Sequence, residues 1–172
     1  MKIFGLAGWS GSGKTTMLTR LLPALIERGV SVSTIKHAHH DFDIDQPGKD
    51  SYRHRMAGAT EVLISSAHRW ALMHELRGTP EPNLPALLAR LSPVDLVLVE
   101  GFKHDPYDKL EVYRESVGKP LLAKADPHIV AVASDGPIAG LKLPRLDIDD
   151  TGTIVDFILR HCGLERRHDP AR

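Results

Sequence analysis

The sequence is poor in cysteine and in aromatic residues, and it carries no excess of either charge. Of its 172 residues only Cys162 is a cysteine, which excludes an internal disulfide and indicates a buried, unreactive thiol in a reducing compartment. Lysine and arginine together number 22, as do aspartate and glutamate, so the composition gives no reason to expect binding to nucleic acid or to an anionic membrane. Any site for an anion must therefore be local.

Long apolar runs are missing as well. No run approaches the roughly 18 residues that a membrane-spanning helix needs, and the first apolar run leads too directly into glycines for a signal peptide. We therefore expect a cytoplasmic protein. A chain with 42% hydrophobic and 26% charged residues is typical of a globular domain, which we assign to residues 1–164. Residues 165–172 are interpreted as a polar C-terminal tail.

The spacing of apolar residues changes along the chain between the strand and the helix pattern. Residues 3–7 form a short apolar run typical of a buried parallel strand, and residues 15–26 carry leucines at three- and four-residue spacing, as in an amphipathic helix. Two neighbouring strands are predicted at 61–65 and 69–74, the second with a tryptophan in the core. Residues 109–114 alternate polar and apolar side chains, which favours a strand nearer the sheet edge. We expect a three-layer α/β domain with a mixed, mainly parallel sheet.

Residues 8–15 read Gly-Trp-Ser-Gly-Ser-Gly-Lys-Thr and match the phosphate-binding pattern G-x-x-x-x-G-K-[ST] in full. The pattern lies between a predicted strand and a predicted helix, which is the context that it requires. Lys14 can reach the β- and γ-phosphates, the Thr15 hydroxyl is a ligand for Mg²⁺, and Thr16 can donate to the α-phosphate. We therefore expect a P-loop NTPase fold that binds a nucleoside triphosphate with Mg²⁺. The residues expected to bind the nucleotide through this loop are Gly8, Ser10, Gly11, Ser12, Gly13, Lys14, Thr15 and Thr16.

A second candidate feature is the acid that ends an apolar strand at residues 95–99. Glu100 follows this strand, and a carboxylate at the C-terminal edge of a parallel sheet lies where the metal of a P-loop protein is bound. We expect Glu100 to hold Mg²⁺ through a water or to position the attacking water; an ordinary surface acid is the alternative. Lys103 and His104 follow closely and are candidates to bind a substrate or a partner.

The most unusual composition lies at residues 36–45, where three histidines and three aspartates are gathered. One hypothesis is a switch segment that closes over the γ-phosphate and Mg²⁺, with Asp41 as its carboxylate. Another is a transition-metal site made by His37, His39 and His40, since imidazole and carboxylate groups bind such metals. A solvated loop is the third alternative.

Two aspartates are candidates to read the base. Asp135 follows a predicted strand, and its carboxylate could accept both donors on the edge of guanine while repelling the N1 acceptor of adenine. Lys124 and Asp126 form the Lys-x-Asp pattern that many GTPases use for guanine, but Ala123 stands where those proteins have Asn or Thr.

These motifs together resemble the MobB family, the GTP-binding accessory proteins of molybdenum-cofactor biosynthesis. The resemblance covers most of the chain and rests on residues 7–16, 35–37, 39–41, 47–52, 69–73 and 98–103. It implies a homodimeric P-loop protein that binds GTP, hydrolyses it slowly if at all, and assists MobA, the guanylyltransferase that attaches GMP to molybdopterin. Many relatives in the wider group of dimeric P-loop proteins carry a second lysine early in the loop, whereas this sequence has Trp9 there.

The resulting hypothesis is a GTP–Mg²⁺ binding accessory protein with weak GTPase activity at most, whose partners are MobA and molybdopterin or a molybdopterin-bound protein. Lys14, Glu100 and Asp41 are its candidate catalytic residues, and Thr15, Glu100 and Asp41 its candidate Mg²⁺ ligands. Three rivals remain open: a small-molecule kinase using the same loop, a metallochaperone using the histidine-rich segment, and a pure adaptor whose conformation is set by nucleotide.

Overall fold

The computed structural model describes residues 1–38 and 42–165. Its strands are β1 (Lys2–Ala7), β2 (Val32–Lys36), β3 (Glu61–Ser65), β4 (Trp70–His74), β5 (Leu96–Glu100), β6 (Lys109–Tyr113), β7 (Ile129–Ser134) and β8 (Arg145–Asp147). Its helices are α1 (Lys14–Glu27), α2 (Asp50–Met56), α3 (Leu84–Leu88) and α4 (Thr151–Cys162), with 3₁₀ turns at Glu115–Val117 and Leu122–Lys124. The chain divides into a larger unit, Met1–His37 with Arg90–Arg172, and a smaller unit, Ala38–Ala89.

The larger unit is built on a six-stranded sheet in the order β2-β5-β1-β6-β7-β8. Every neighbouring pair in this sheet is parallel, so the carboxyl ends of all six strands meet at one edge. That edge holds the loop that follows β1 and the Glu100 side chain at the end of β5, two of the features singled out above. The predicted α/β fold with a mainly parallel sheet is confirmed.

Helices α1 and α4 cover one face of this sheet. Their apolar residues recur at three- and four-residue spacing, and the two helices pack against inward-facing strand residues in one buried cluster. The opposite face at β7 packs against the apolar residues around the 3₁₀ turn Leu122–Lys124. Cys162 lies in the first cluster, and burial raises the pKa of its thiol to about 11, which confirms the expected buried cysteine.

Strand β6 corrects one prediction. The polar and apolar alternation predicted a position nearer the sheet edge, but β6 lies between β1 and β7. Its polar side chains are buried with partners: the Lys109 ammonium contacts the Asp126 carboxylate at 3.0 Å, and the Glu111 carboxylate accepts from the backbone N–H groups of Leu122 and Ala123. The alternation of polar and apolar residues in β6 therefore reflects charged side chains that are buried with partners on one face, and neither face of this strand is turned to solvent.

The smaller unit contains β3 and β4 as a separate antiparallel pair. The sequence predicted both strands, but as part of one mixed sheet; the structure instead pairs them with each other in a two-stranded sheet of their own. Val62 and Met73 are buried on one face of the pair, whereas the side chain of Trp70 on the other face is 65% exposed. The expectation that Trp70 belongs to the core was wrong.

Two further observations concern the chain as a whole. Whether residues 1–164 behave as one domain stays a prediction, since the described residues fall into two compact units. Among the helices in residues 1–38 and 42–165, none is both long enough and apolar enough to cross a membrane.

Candidate functional site

The phosphate loop joins the carboxyl end of β1 to the first turn of α1. Three of its glycines have positive φ, 144° at Gly8, 83° at Gly11 and 98° at Gly13, a conformation that side chains disfavour. At Gly8 the space is also closed, because a Cβ would lie 2.5 Å from the Val112 carbonyl oxygen and 2.7 Å from Ser12 Oγ. The backbone conformation therefore favours glycine at these three positions, and contact with β6 adds a steric requirement at Gly8.

The N-terminus of α1 is left open to an anion. The helix begins at Lys14, its first turn has no acidic residue, and no side chain caps it among the described residues. The first N–H groups of a helix have no partners within it and carry the positive end of its dipole. Because nothing in this turn neutralises them, they are available to phosphate oxygens.

Lys14 is held over the loop. Its ammonium donates to the backbone oxygens of Gly8 at 2.8 Å and of Trp9 at 2.9 Å. Burial lowers the pKa of Lys14; the Glu100 carboxylate opposes this, while the ammonium groups of Lys36 and Lys103 lower the pKa further. A partly buried cation beside other cations is stabilised by an arriving anion, which suits a phosphate site.

Thr15 and Glu100 meet at the same edge. The Thr15 hydroxyl donates to Glu100 Oε1 at 3.4 Å, and the Glu100 side chain is only 10% exposed. Its second oxygen, Oε2, is buried without a hydrogen bond among the described residues, as is Ser12 Oγ in the loop. A hydroxyl and a carboxylate are hard oxygen ligands, so these two residues fit Mg²⁺, and the unbonded oxygens fit a site that is completed by its ligand.

Asp135 lies at this edge too, directly after β7. It forms part of a pocket of about 120 Å³ whose lining also includes Tyr113, Glu115 and Ile138. Its carboxylate accepts from Arg114 at 3.1 Å. The pocket opens beside the carboxyl ends of β6 and β7, on the same edge as the phosphate loop, where nucleotides bind in open parallel sheets.

A family model described as "MobB: Molybdopterin guanine dinucleotide synthesis protein B" matches residues 3–135. The chain belongs to the MobB family. The molybdopterin-guanine dinucleotide biosynthesis adapter protein of Escherichia coli (strain K12) is 46% identical to it over 160 residues, covering 91% of each protein. The adapter protein of Haemophilus influenzae is 43% identical over 159 residues, covering 91% of this chain and 86% of that protein.

A solved structure agrees with this membership. The crystal structure of molybdopterin-guanine biosynthesis protein B has a TM-score of 0.74 at 30% identity, covering 94% of this chain and 99% of that one. The P-loop NTPase-like fold of this MobB-family chain is therefore shared with a solved member. The recognition of the family from sequence motifs is confirmed.

The prediction that Lys124 and Asp126 of this MobB-family chain read the base is wrong. Asp126 precedes β7, so it lies at the opposite edge of the sheet from the phosphate loop. Its carboxylate accepts from the Lys109 ammonium and from the backbone N–H of His128. Asp126 is therefore a structural partner for a buried lysine, and Asp135 stays the candidate for the base.

The histidine-rich segment is only partly described. His39, His40 and Asp41 lie outside the described residues, so the switch and metal hypotheses for them stay predictions. His37 stacks on Phe102 with ring centroids 4.6 Å apart. Across residues 1–38 and 42–165, no three His, Cys, Asp or Glu side chains are grouped as metal ligands would be.

Other predicted residues are placed at or near the phosphate loop. Ser10 and Thr16 are exposed, on the loop and on the first turn of α1. The Trp9 indole N–H donates to the Pro120 carbonyl at 2.8 Å. The ammonium of Lys103 lies 6.0 Å from the centre of the Trp9 ring, whereas His104 is exposed and has no contact within residues 1–38 and 42–165 that assigns it a role.

Sequence reasoning missed Lys36. The pattern predicted that it begins a polar loop, but it is the last residue of β2 and pairs in register with Glu100. Its ammonium lies 3.7 Å from Glu100 Oε2. A cation at the end of a predicted strand was the available signal, yet only the pairing of β2 with β5 places it at the site.

Proposed function

We propose that this chain is a GTP–Mg²⁺ binding accessory protein of molybdenum-cofactor biosynthesis. The observation that carries the proposal is the joining of the phosphate loop, through Thr15, to the buried carboxylate of Glu100. Relatives named as adapter proteins of molybdopterin-guanine dinucleotide biosynthesis support the pathway. The protein then supports attachment of GMP to molybdopterin by the guanylyltransferase MobA.

Each part of the site has a separate task in this proposal. The open amides of the loop and of the first turn of α1 bind the phosphates, and Lys14 exchanges its two carbonyl acceptors for phosphate oxygens. Thr15 and Glu100 hold Mg²⁺, which supplies charge neutralisation at the phosphates when bound. Asp135 reads guanine from the adjoining pocket.

Slow hydrolysis follows from how the loop is built. Trp9 stands where many dimeric relatives carry a second lysine, and its indole is fixed to Pro120. A partner subunit of the same sequence therefore brings no lysine from this position to the γ-phosphate. The protein therefore binds GTP but hydrolyses it only slowly, which favours an accessory role over that of an independent enzyme.

A homodimer fits the exposed face of the β3–β4 pair. Leu63, Trp70 and Leu72 share this face, and their side chains are 62%, 65% and 40% exposed. A contiguous apolar face of this kind marks an interaction surface. We assign it to a second copy of the chain.

Nucleotide binding can be measured with the chain's own fluorescence. The protein has two tryptophans, so the Trp70→Phe variant leaves Trp9, inside the phosphate loop, as the only reporter. We expect GTP with Mg²⁺ to change this signal, and ATP to bind more weakly because Asp135 favours guanine.

Lys14→Ala is expected to lower GTP affinity by roughly tenfold or more, since a charge-assisted hydrogen bond contributes about 1.5–3 kcal/mol. Lys142→Ala is the matched control, because Lys142 is exposed and lies shortly before β8, away from the carboxyl edge. Unchanged GTP affinity in Lys14→Ala would refute the proposal.

Addition of purified MobA and molybdopterin tests the accessory role. The chain should increase formation of the guanine dinucleotide cofactor, and Lys14→Ala should not. With γ-labelled GTP, label should appear only as slowly released inorganic phosphate; transfer to a dedicated acceptor would show the kinase instead.

A further inference from the structure

The ion pair between Lys36 and Glu100 is not explained by the phosphate-loop pattern. The two residues are 64 positions apart in sequence and become neighbours because β2 pairs with β5 in the register Lys36–Glu100. The Lys36 ammonium lies 3.7 Å from Glu100 Oε2. This places a second lysine, besides Lys14, at the carboxylate expected to hold Mg²⁺.

The two side chains of this ion pair differ in how far they are buried. The side chain of Lys36 is 59% exposed, while that of Glu100 is 10% exposed. Glu100 Oε2 is buried and makes no hydrogen bond among the described residues, so the ammonium neutralises it without bonding to it. An ammonium that is paired with a carboxylate but not hydrogen-bonded to it can be displaced by a cation that binds the carboxylate directly.

The backbone around the pair is held in place. The N–H of His37 donates to the Glu100 carbonyl at 2.8 Å, extending the β2–β5 ladder one residue beyond Lys36. At Gly101 a Cβ would lie 2.5 Å from the His37 Cβ, so the two segments are in close contact. The backbone of Lys36 is therefore held by strand pairing, while its side chain, which is 59% exposed, has room to change position.

The charge of Lys36 also reaches the phosphate loop. The ammonium groups of Lys36 and Lys103 lower the pKa of Lys14, in addition to the larger effect of burial. Lys36 and Lys103 thus act electrostatically on Lys14, and the Glu100 carboxylate is the acidic group that opposes them there. In such a site each added negative charge on the ligand makes the electrostatic part of the binding free energy more favourable, so a triphosphate is favoured over a diphosphate.

We propose that Lys36 distinguishes GTP from GDP by changing partners. Without nucleotide it neutralises Glu100; when Mg²⁺ occupies Glu100, the ammonium is displaced by the metal's charge and binds the terminal phosphate of GTP. This inference rests on the proposed GTP–Mg²⁺ binding and assigns a residue that senses the γ-phosphate at that site.

The test compares GTP and GDP affinities, with Mg²⁺ and with chelator, by Trp9 fluorescence in the Trp70→Phe background. Lys36→Met is expected to lower GTP affinity in Mg²⁺ by about tenfold, the value of 1.4 kcal/mol, since it removes one charge-assisted contact. GDP affinity should change less than about twofold. Lys36→Arg should retain most of the preference, and Lys142→Met should behave as wild type.

Glu100→Gln tests the change of partner directly. Without Mg²⁺, the wild-type Lys36 is still held by Glu100, so Lys36→Met should have a smaller effect on GTP binding in chelator. Glu100→Gln releases Lys36 and should raise GTP affinity in chelator, and Lys36→Met should abolish that gain in the double variant. If Lys36→Met does not fold, Lys36→Gln takes its place, with circular dichroism as the check.

The outcomes separate this inference from the proposed function. Equal losses for GTP and GDP, or an unchanged ratio in Lys36→Met while Lys14→Ala abolishes binding, would overturn the role of Lys36 and leave the GTP site intact. Failure of the wild type to bind GTP would overturn both.

Discussion

At the scale of single residues, Lys109 of the larger unit is a charged side chain that is almost completely buried. It is 1% exposed and begins β6, an inner strand of the parallel sheet. Its ammonium donates to the Asp105 carbonyl at 2.9 Å, contacts the Asp126 carboxylate at 3.0 Å and lies 4.7 Å from the centre of the Tyr107 ring. A buried cation is tolerated only when it is paired and hydrogen-bonded, and Lys109 meets both conditions.

Lys109→Met should lower the free energy of unfolding by about 3 kcal/mol, because it leaves the Asp126 carboxylate without its cation. Urea unfolding followed by circular dichroism measures the change. Lys124→Met is the control, and it should stay within about 0.5 kcal/mol of wild type because Lys124 is exposed.

Nucleotide binding provides a second readout for the same variant. Because Asp126 lies at the sheet edge opposite the phosphate loop, GTP affinity in folded Lys109→Met should equal that of wild type. A selective loss of GTP over ATP binding would contradict this and return Asp126 to the base site.

Among the elements, the β3–β4 pair has the clearest division between its faces. Register places Leu63 opposite Leu72 on the exposed face, next to Trp70 and Ser65, while Val62 and Met73 are buried on the other. The Glu61 carboxylate and the His74 imidazole, 2.7 Å apart, end the exposed face on one side. The apolar surface therefore has a polar border, as interfaces commonly do.

Leu63→Lys is expected to weaken the proposed homodimer, because it would bury an unpaired ammonium on the apolar face. Sedimentation at several protein concentrations should show a dimer for wild type and a monomer for the variant. Ser116→Lys adds the same charge at an exposed position of the larger unit and should remain dimeric. A monomeric wild type, or a dimer unaffected by Leu63→Lys, would refute the assignment of this face.

For the whole molecule, the proposed nucleotide binding predicts a change in stability. A ligand that binds only the folded chain stabilises it by about 2.7 kcal/mol at one hundred times its dissociation constant. GTP with Mg²⁺ should therefore raise the thermal midpoint by several degrees, and chelation of Mg²⁺ should remove most of that rise. Glu100→Gln should show a smaller dependence on Mg²⁺ than wild type. A midpoint that GTP does not move, at a concentration that saturates Trp9 fluorescence, would contradict a specific complex.

The candidate site was predictable where its residues are consecutive. The loop from Gly8 to Thr15 needs glycines, a lysine and a hydroxyl in fixed order, and a strand and a helix flank it as expected. Glu100 was predictable because an apolar strand ends on it. Lys36 was not, since no local pattern states which strand β2 will pair with.

The same limit explains the errors in the fold. Alternation at Lys109 and Glu111 has the same appearance for an edge strand and for a central strand whose charges are paired, and only the partners Asp126, Leu122 and Ala123 decide between them. Trp70 sits in an apolar strand, but the pair formed by β3 and β4 has two faces and buries only one.

The sequence alone determined the phosphate loop, the helix after it, the acid at the end of β5 and membership of the MobB family, because each is carried by short runs of consecutive residues. The tertiary structure alone decided the strand order, the pairing of β3 with β4 in a sheet of their own, and the meeting of Lys36 with Glu100. Those depend on which strands pair across long crossovers, and the free energy that selects the pairs comes from packing between distant segments.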